Sequence, residues 1–405
     1  MAGFARPHPE SLAVGALLTV LIALGQISTS IYVPSMPDLT LVFETTPERV
    51  NKSYGAFLIG FALSQLIYGP LSDRYGRRRV LISGLTLYCL ASLACVMATS
   101  IEALIAGRFA QALGACAGPV LGRAIVRDVY GRERAAKAMG YIGAAFAISP
   151  AVIPMIGGYL HQWFGWQGSF WFLAGVAVAI TCAAIVVLEE TNPGGGRGIR
   201  PRELLATYRM LLADRAFVGY ACAVAFVFAG LMTYTAISPF LFIQHLGYTP
   251  AEYGLLACVT VIGFFGGSIA TGRLTTRFGA ARMVFAGTLF AVAGGASMVA
   301  CALIGWFNAA VILVPMILFL AGMGITFPNG MAGAMAPYPR AAGAASALVG
   351  FFQMGVAALV ITGAGLLPLT SQMPMALVIT GAGIAAFSGF FIFAWRHEIA
   401  RSGHD

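Results

Sequence analysis

Charge is what this sequence has least of. Asp, Glu, Lys and Arg make up 10% of the 405 residues, against 59% hydrophobic, where a soluble domain carries about one-quarter charged residues. That scarcity excludes an ordinary soluble globular protein. Strand-like alternation is missing, which argues against a transmembrane β-barrel. No C-x-x-C pair occurs, and the seven cysteines all lie in apolar runs. They read as small packing residues, and no metal site is expected. The five histidines are scattered and there is no D-D-x-x-D sequence. A metal-dependent membrane transferase therefore has no residues to work with, and the chain reads as a non-enzyme without cofactor. The first apolar run is too long for a signal h-region and no small-residue cleavage site follows it.

What is present is long apolar runs. A bilayer-spanning helix needs about 20 mostly apolar residues. Twelve stretches qualify: 11–33, 53–71, 80–99, 102–125, 137–160, 168–188, 217–243, 252–271, 282–304, 309–331, 342–367 and 375–395. The fold expected is all-α and polytopic, because in hydrocarbon a helix satisfies its own backbone. The net charge of +9 follows the spans. With the N-terminus placed in the cytoplasm, every Lys and Arg except Arg49, Lys52 and Arg108 falls at or beyond an inner helix end. This positive-inside pattern puts both termini in the cytoplasm and faces anionic lipid, so it is no footprint for nucleic acid. The five tryptophans sit near span ends, as an aromatic belt requires.

The chain repeats itself. Residues 58–76 align without gaps to 261–279, with seven of nineteen positions identical. Pro34 matches Pro239 at nearly the same offset. One six-helix unit used twice follows. The expected units are 1–188, a cytoplasmic linker 189–216, 217–395, and a tail 396–405. The linker begins Gly-rich, and its part near 201–213 reads as an amphipathic helix on the inner face.

The loop after the second span reads Gly69-Pro70-Leu71-Ser72-Asp73-Arg74-Tyr75-Gly76-Arg77-Arg78-Arg79. It resembles the G-x-x-x-D-R-x-G-R-R/K-R/K signature of the major facilitator superfamily. Its second-half copy keeps Gly272, Arg277 and Gly279 but has Thr276 where Asp73 stands. Asp73 is expected to face the helix N-terminus near Ala342 and Gly343, where the dipole favours a carboxylate; the plain alternative is a solvated basic loop. Arg108-Phe109-Ala110-Gln111-Ala112-Leu113-Gly114 resembles R-x-x-Q-G-x-G of the same superfamily. A charge at that depth faces a cavity or a partner, or snorkels to the headgroups. Pro154, Gly157 and Gly158 resemble the antiporter motif G-P-x-x-G-G without its first glycine. Arg127-Asp128, "TSIYVPSMP" and "GWQGSFWFLA" look most like the bicyclomycin/chloramphenicol-resistance (Bcr/CflA) branch of drug:proton antiporters.

That resemblance implies two pseudo-symmetric six-helix bundles, a cavity lined by spans 1, 4, 7 and 10, and proton-driven export of small, mostly apolar compounds across a bacterial inner membrane. The residues expected near the cavity are Gln26, Ser30, Arg108, Gln111, Tyr234, Thr235 and Asn329, the last and Tyr234 equally readable as helix–helix hydrogen-bonding partners. A small-molecule substrate, protons and the lipid bilayer are the expected partners, and a monomer the expected state. One residue departs from the branch. Its first helix usually reads T-D-x-Y-L-P, and here Thr29-Ser30-Ile31-Tyr32-Val33-Pro34 stands there. None of the fifteen acids is expected near the bilayer midplane. Asp38 and Asp128 are the candidate substitutes, each readable instead as a boundary carboxylate or an ion-pair partner. An exporter of a metabolite and an uncoupled facilitator therefore stay open beside proton antiport.

Overall fold

The structure, a computed structural model, describes residues 12–192, 201–365, 367 and 371–395, with the side chains of 131–151 outside that description. The two tails and the Gly-rich start of the linker lie outside the described residues. The described residues are helical throughout, with no strand among them. In chain order the helices are α1 (Leu12–Ser30), α2 (Met36–Val42), α3 (Pro47–Tyr75), α4 (Arg77–Val96), α5 (Ile101–Ala115), α6 (Ala117–Phe164), α7 (Gln167–Val187), α8 (Pro201–Ala213), α9 (Arg215–Pro239), α10 (Pro250–Phe278), α11 (Ala280–Leu303), α12 (Ala309–Met335), α13 (Ala342–Ala364) and α14 (Met373–Phe390).

Their ends follow from local chemistry. Thr46, Ser100, Asp214, Thr249 and Asn308 each accept a hydrogen bond from a backbone N–H of the helix they start. Thr249 and Glu252 form a full capping box. Prolines break the first span: after Ser30 the chain makes a 3-10 turn, Val33–Ser35, around Pro34, and Pro37 opens α2.

Eleven helical stretches among the described residues are long and apolar enough to cross a membrane. The expected span 137–160 belongs to the second part of α6. A straight helix of 48 residues would be about 70 Å long. Yet the parts of α6 run in opposite senses along α1: Gly122 lies on Ile22 and Tyr130 beside Gly15, whereas Gly157 lies on Ile31. The helical run therefore folds back between Tyr130 and Pro154; its first arm completes the fourth span that α5 begins, and its second arm is the fifth.

The repeat is visible in the packing. A Cβ on Gly114 would lie 2.6 Å from the Gly84 carbonyl oxygen and 2.4 Å from the Tyr88 nitrogen. A Cβ on Gly322 would lie 2.4 Å from the Gly287 oxygen and 2.6 Å from the Ala291 nitrogen. So α5 nests on α4 as α12 nests on α11, each with a glycine where only a hydrogen fits. Large apolar side chains such as Leu90, Ile262, Val314 and Leu359 point outward from the bundles, as lipid-facing surfaces do.

The bundles meet along α3–α13 and α6–α10. Gln65 covers Gly350, and Gly158 abuts the Pro250 carbonyl. At the end farthest from Arg74–Arg79, Gln244 Nε2 donates to the Pro37 carbonyl at 3.3 Å and to Thr40 Oγ1 at 3.4 Å. At the arginine end a side chain on Gly343 would meet nothing within 4 Å. The bundles are therefore tied by hydrogen bonds at the far end, while at the arginine end α13 stands clear of its neighbours at Gly343.

Candidate functional site

Between the bundles lies a cavity of about 100 Å³. Both bundles line it. Gln26 and Ser30 come from α1 and Pro154 from α6; Phe228, Leu231, Met232, Tyr234 and Thr235 come from α9. Helices α10, α12 and α13 complete it with Tyr253, Thr260, Phe264, Met323, Phe327 and Gln353 among others. Among the described residues, not one that lines it is charged. Gln26 Nε2 donates to Ser30 Oγ at 3.0 Å, which leaves the Gln26 carbonyl oxygen free to accept. The hydroxyls of Thr235 and Thr260 donate to the carbonyls of Leu231 and Ala257 at 2.9 and 2.8 Å. The site is an apolar, aromatic and thioether surface with a few amides and hydroxyls, the usual make-up of a small-molecule pocket.

Three expected residues do not line it. Arg108 is 0% exposed and Gln111 is equally buried inside the first bundle. Arg108 Nη1 donates to the Ser28 carbonyl at 3.1 Å and to Gln111 Oε1 at 2.5 Å. Gln111 Nε2 donates to Ser92 Oγ at 2.8 Å. The guanidinium lies 4.2 Å from the ring centroids of both Tyr32 and Phe57, and 5.9 Å from that of Phe170. No carboxylate pairs with it among the described residues. The helix face differs from the expectation: α5 turns Arg108 toward α1 and α3, away from the second bundle. Desolvated cation–π contacts of this kind contribute up to about 2 kcal/mol each. The broken first helix serves both places. Ser30 closes α1 toward the cavity, and Tyr32, two residues on, covers Arg108.

Asn329 is the third. Its Oδ1 accepts from Thr275 at 2.9 Å and its Nδ2 donates to Thr271 at 3.3 Å and to the Ile325 carbonyl at 2.8 Å. It ties α12 to α10, the helix–helix reading of that residue.

The gating loop is held from an unexpected quarter. Gly76, at φ 95°, makes the turn between α3 and α4, a conformation glycine adopts without strain. Glu190, just past α7, sits over it. Its Oε1 accepts from the Arg77 backbone N–H at 2.7 Å and its Oε2 from the Arg78 N–H at 3.2 Å. A carboxylate on the free N–H groups of a helix start is stabilised by both charge and dipole. Sequence reasoning placed Glu190 only among boundary acids; no local pattern links it to a loop 113 positions away. Arg77 pairs with Asp73 at 2.6 Å and with Asp128 at 3.3 Å. Thr191 Oγ1 also donates to Asp128. Asp128 is thus an ion-pair partner, while Arg127 beside it is exposed. No hydrogen bond or ion pair joins Asp73 to α13 among the described residues. Arg74 lies over Tyr75, and Arg78 Nη2 donates to the Ile185 carbonyl at 2.7 Å.

The second-half copy has no such clamp. A Cβ on Gly272 or Gly279 would meet nothing within 4 Å, and Arg277 lies over its neighbour Phe278. In the fifth span, a Cβ on Gly157 would lie 1.8 Å from the Ile31 oxygen, and one on Gly158 2.4 Å from the Pro250 oxygen. Pro154 backs onto Gly254 of α10. The three motif residues therefore seat α6 against α1 and against the second bundle at once. Asp38 lies half-buried in the first turn of α2, at the far end.

A two-bundle chain with an uncharged central cavity and this arginine loop has the build of a membrane transporter. Residues 18–361 match the family model described as Major Facilitator Superfamily. The chain belongs to that superfamily, and within it to the Bcr/CflA branch that its motifs resemble. It is 31% identical to multidrug resistance protein D of Escherichia coli (strain K12), over 88% of this chain and 89% of that one. It is 25% identical to a bicyclomycin resistance protein homolog of Haemophilus influenzae, covering 88% and 90%. Its fold is similar to the crystal structure of a D-xylose-proton symporter, at 15% identity and a TM-score of 0.75, over 94% of this chain and 97% of that one.

Proposed function

We propose that the chain exports small, mostly apolar or amphipathic molecules from the bacterial cytoplasm across the inner membrane by alternating access. The observation that carries the reading is the uncharged cavity lined from both bundles. Such a surface tolerates varied apolar cargo, and the names of its relatives, multidrug resistance protein D and a bicyclomycin resistance protein homolog, support the same class. The basic ends set both termini in the cytoplasm. The halves 1–188 and 217–395 rock about the cavity on the linker 189–216, with 396–405 as a tail, and one copy of the chain suffices. A state parted at the arginine end is then the cytoplasm-facing one.

A second reading concerns coupling. Proton antiport is the mode of the branch, yet Ser30 stands at the usual aspartate position and no carboxylate lines the cavity among the described residues. That favours a facilitator, possible also for a metabolite, or cargo that carries its own proton. Purified protein in liposomes with an internal pH dye separates these. Substrate-dependent proton flux supports antiport; labelled-substrate movement without it supports the facilitator. Cysteines at Asp73 and Gly343, once disulfide-linked, are expected to stop transport until reduced; transport that persists while linked removes alternating access.

A further inference from the structure

Resting on the reading of the cavity as the transport site, we propose that cargo is sorted by charge. The protein takes uncharged or anionic amphipathic molecules and excludes lipophilic cations.

Three observations point the same way. First, the polar groups that line the cavity among the described residues are amides, alcohols and the phenols of Tyr234 and Tyr253, with no carboxylate to meet a cation. A cation leaving water for such a surface loses its hydration without gaining a counter-charge.

Second, the closest buried fixed charge is positive and unpaired. Arg108 stacks on Tyr32, whose ring lies 6.2 Å from that of Tyr54. The Tyr54 hydroxyl donates to Met232 Sδ at 3.2 Å, and Met232 lines the cavity. These contacts hold the guanidinium within about 16 Å of the cavity wall. At that distance and an effective dielectric of about 20, one unit charge disfavours a cation, and favours an anion, roughly fivefold. Arg108 Nε and Nη2 meet no hydrogen-bonding partner, and no carboxylate pairs with the guanidinium among the described residues.

Third, the end at which α13 stands clear carries arginines: Arg123 and Arg127 lie exposed on α6 and Arg74 and Arg79 on the loop. A cation approaching the cavity from there meets the same sign of potential.

The test uses three tetrahedral probes of similar size: tetraphenylborate, triphenylphosphine oxide and tetraphenylphosphonium, at −1, 0 and +1. Equilibrium dialysis against the purified full chain gives their affinities. The expected result is borate and oxide bound at least tenfold more tightly than phosphonium. Ser30→Asp is expected to reverse the order in favour of phosphonium, with the gain lost at pH values that protonate the new carboxylate. Thr235→Asp, across the cavity, serves if the first variant does not fold. Arg108→Gln is expected to narrow the wild-type preference by about fivefold. Equal binding of phosphonium and oxide by the wild type overturns charge sorting while leaving the cavity as a binding site. If none of the three binds, the cavity is not the transport site and the underlying reading falls with the proposal.

Discussion

The two bundles share one scaffold and differ in what they enclose. Gly114 and Gly322 nest in the same way on their neighbouring helices, 208 positions apart. In that register Arg108 corresponds to Met316 and Gln111 to Phe319, and all four are fully buried. The first bundle encloses a cation, an amide and the Ser28, Tyr88 and Ser92 hydroxyls. The second encloses a thioether and a ring, with Phe319 packed over Gly230. The nesting is the same with or without the charge, so the scaffold does not need it. A buried intramembrane charge that helix nesting does not require is a place to test for function. The same asymmetry recurs at the arginine end, where the first loop is clamped by Glu190 and the second is free of contact at both glycines.

The sharpest way to break the comparison is to give the first bundle the second one's core. Arg108→Met is expected to strand Gln111 and the Ser28 carbonyl and to leave Tyr32 and Phe57 without their cation. Lost cation–π and charged hydrogen bonds sum to about 3 kcal/mol. Export measured in vesicles should fall at least a hundredfold. Arg108→Lys should not restore it, because a compact ammonium cannot lie flat between two rings and reach two acceptors. Met316→Leu in the second bundle should stay within about twofold of wild type, since it is a volume-conserving apolar exchange.

Next in size are the paired loop glycines. Gly76→Ala puts a Cβ 2.5 Å from Glu190 Oε2 in a backbone with φ 95°. Strain and a displaced cap together are expected to lower stability by about 2–3 kcal/mol. Gly279→Ala, at φ 80° with open space around it, should lose only the conformational part, about 1 kcal/mol. Glu190→Gln keeps a weaker acceptor on the same N–H groups and should fall between them, near 1–2 kcal/mol. Thermal unfolding of the three in detergent ranks them. If Gly76→Ala and Gly279→Ala shift the melting temperature equally, the clamp contributes nothing.

Much of this was legible in the sequence, for reasons that differ by feature. The spans show because lipid demands about 20 apolar residues in a row. The repeat shows because both copies of the loop keep their turn glycines. Gln26, Ser30, Tyr234 and Thr235, all of which line the cavity, followed from the resemblance, which implies that spans 1 and 7 line it, and helical spacing put the first two on one face. The pairing of Arg108 with Gln111 could be read too, since i and i+3 share a face. Which way that face points could not. Rotation of α5 about its axis is set by its nesting on α4 at Gly114, a contact that depth along the membrane does not encode. Thr260 and Gln353 were missed because they sit on α10 and α13, outside the four spans expected to line the cavity. Glu190 was missed because its partners are backbone N–H groups, which carry no residue identity for a motif to match.

The smallest expected stability effect belongs to Asp73, and it separates the two states of the arginine end. Here its carboxylate pairs with Arg77, part-exposed and four residues along. A surface pair of that kind contributes about 0.5 kcal/mol or less, so Asp73→Asn should hardly move the melting temperature. Its counterpart Thr276 has no charge to lose at all. If the carboxylate meets the α13 N-terminus only when the arginine end closes, Asp73→Asn removes an interaction of about 1 kcal/mol from the closed state alone. Transport should then slow roughly fivefold at unchanged stability, and Thr276→Asp should partly restore it by supplying the missing carboxylate on the other side. A variant that loses stability and transport in proportion would instead make Asp73 an anchor of this one conformation, and the asymmetry between the two loops would be structural only.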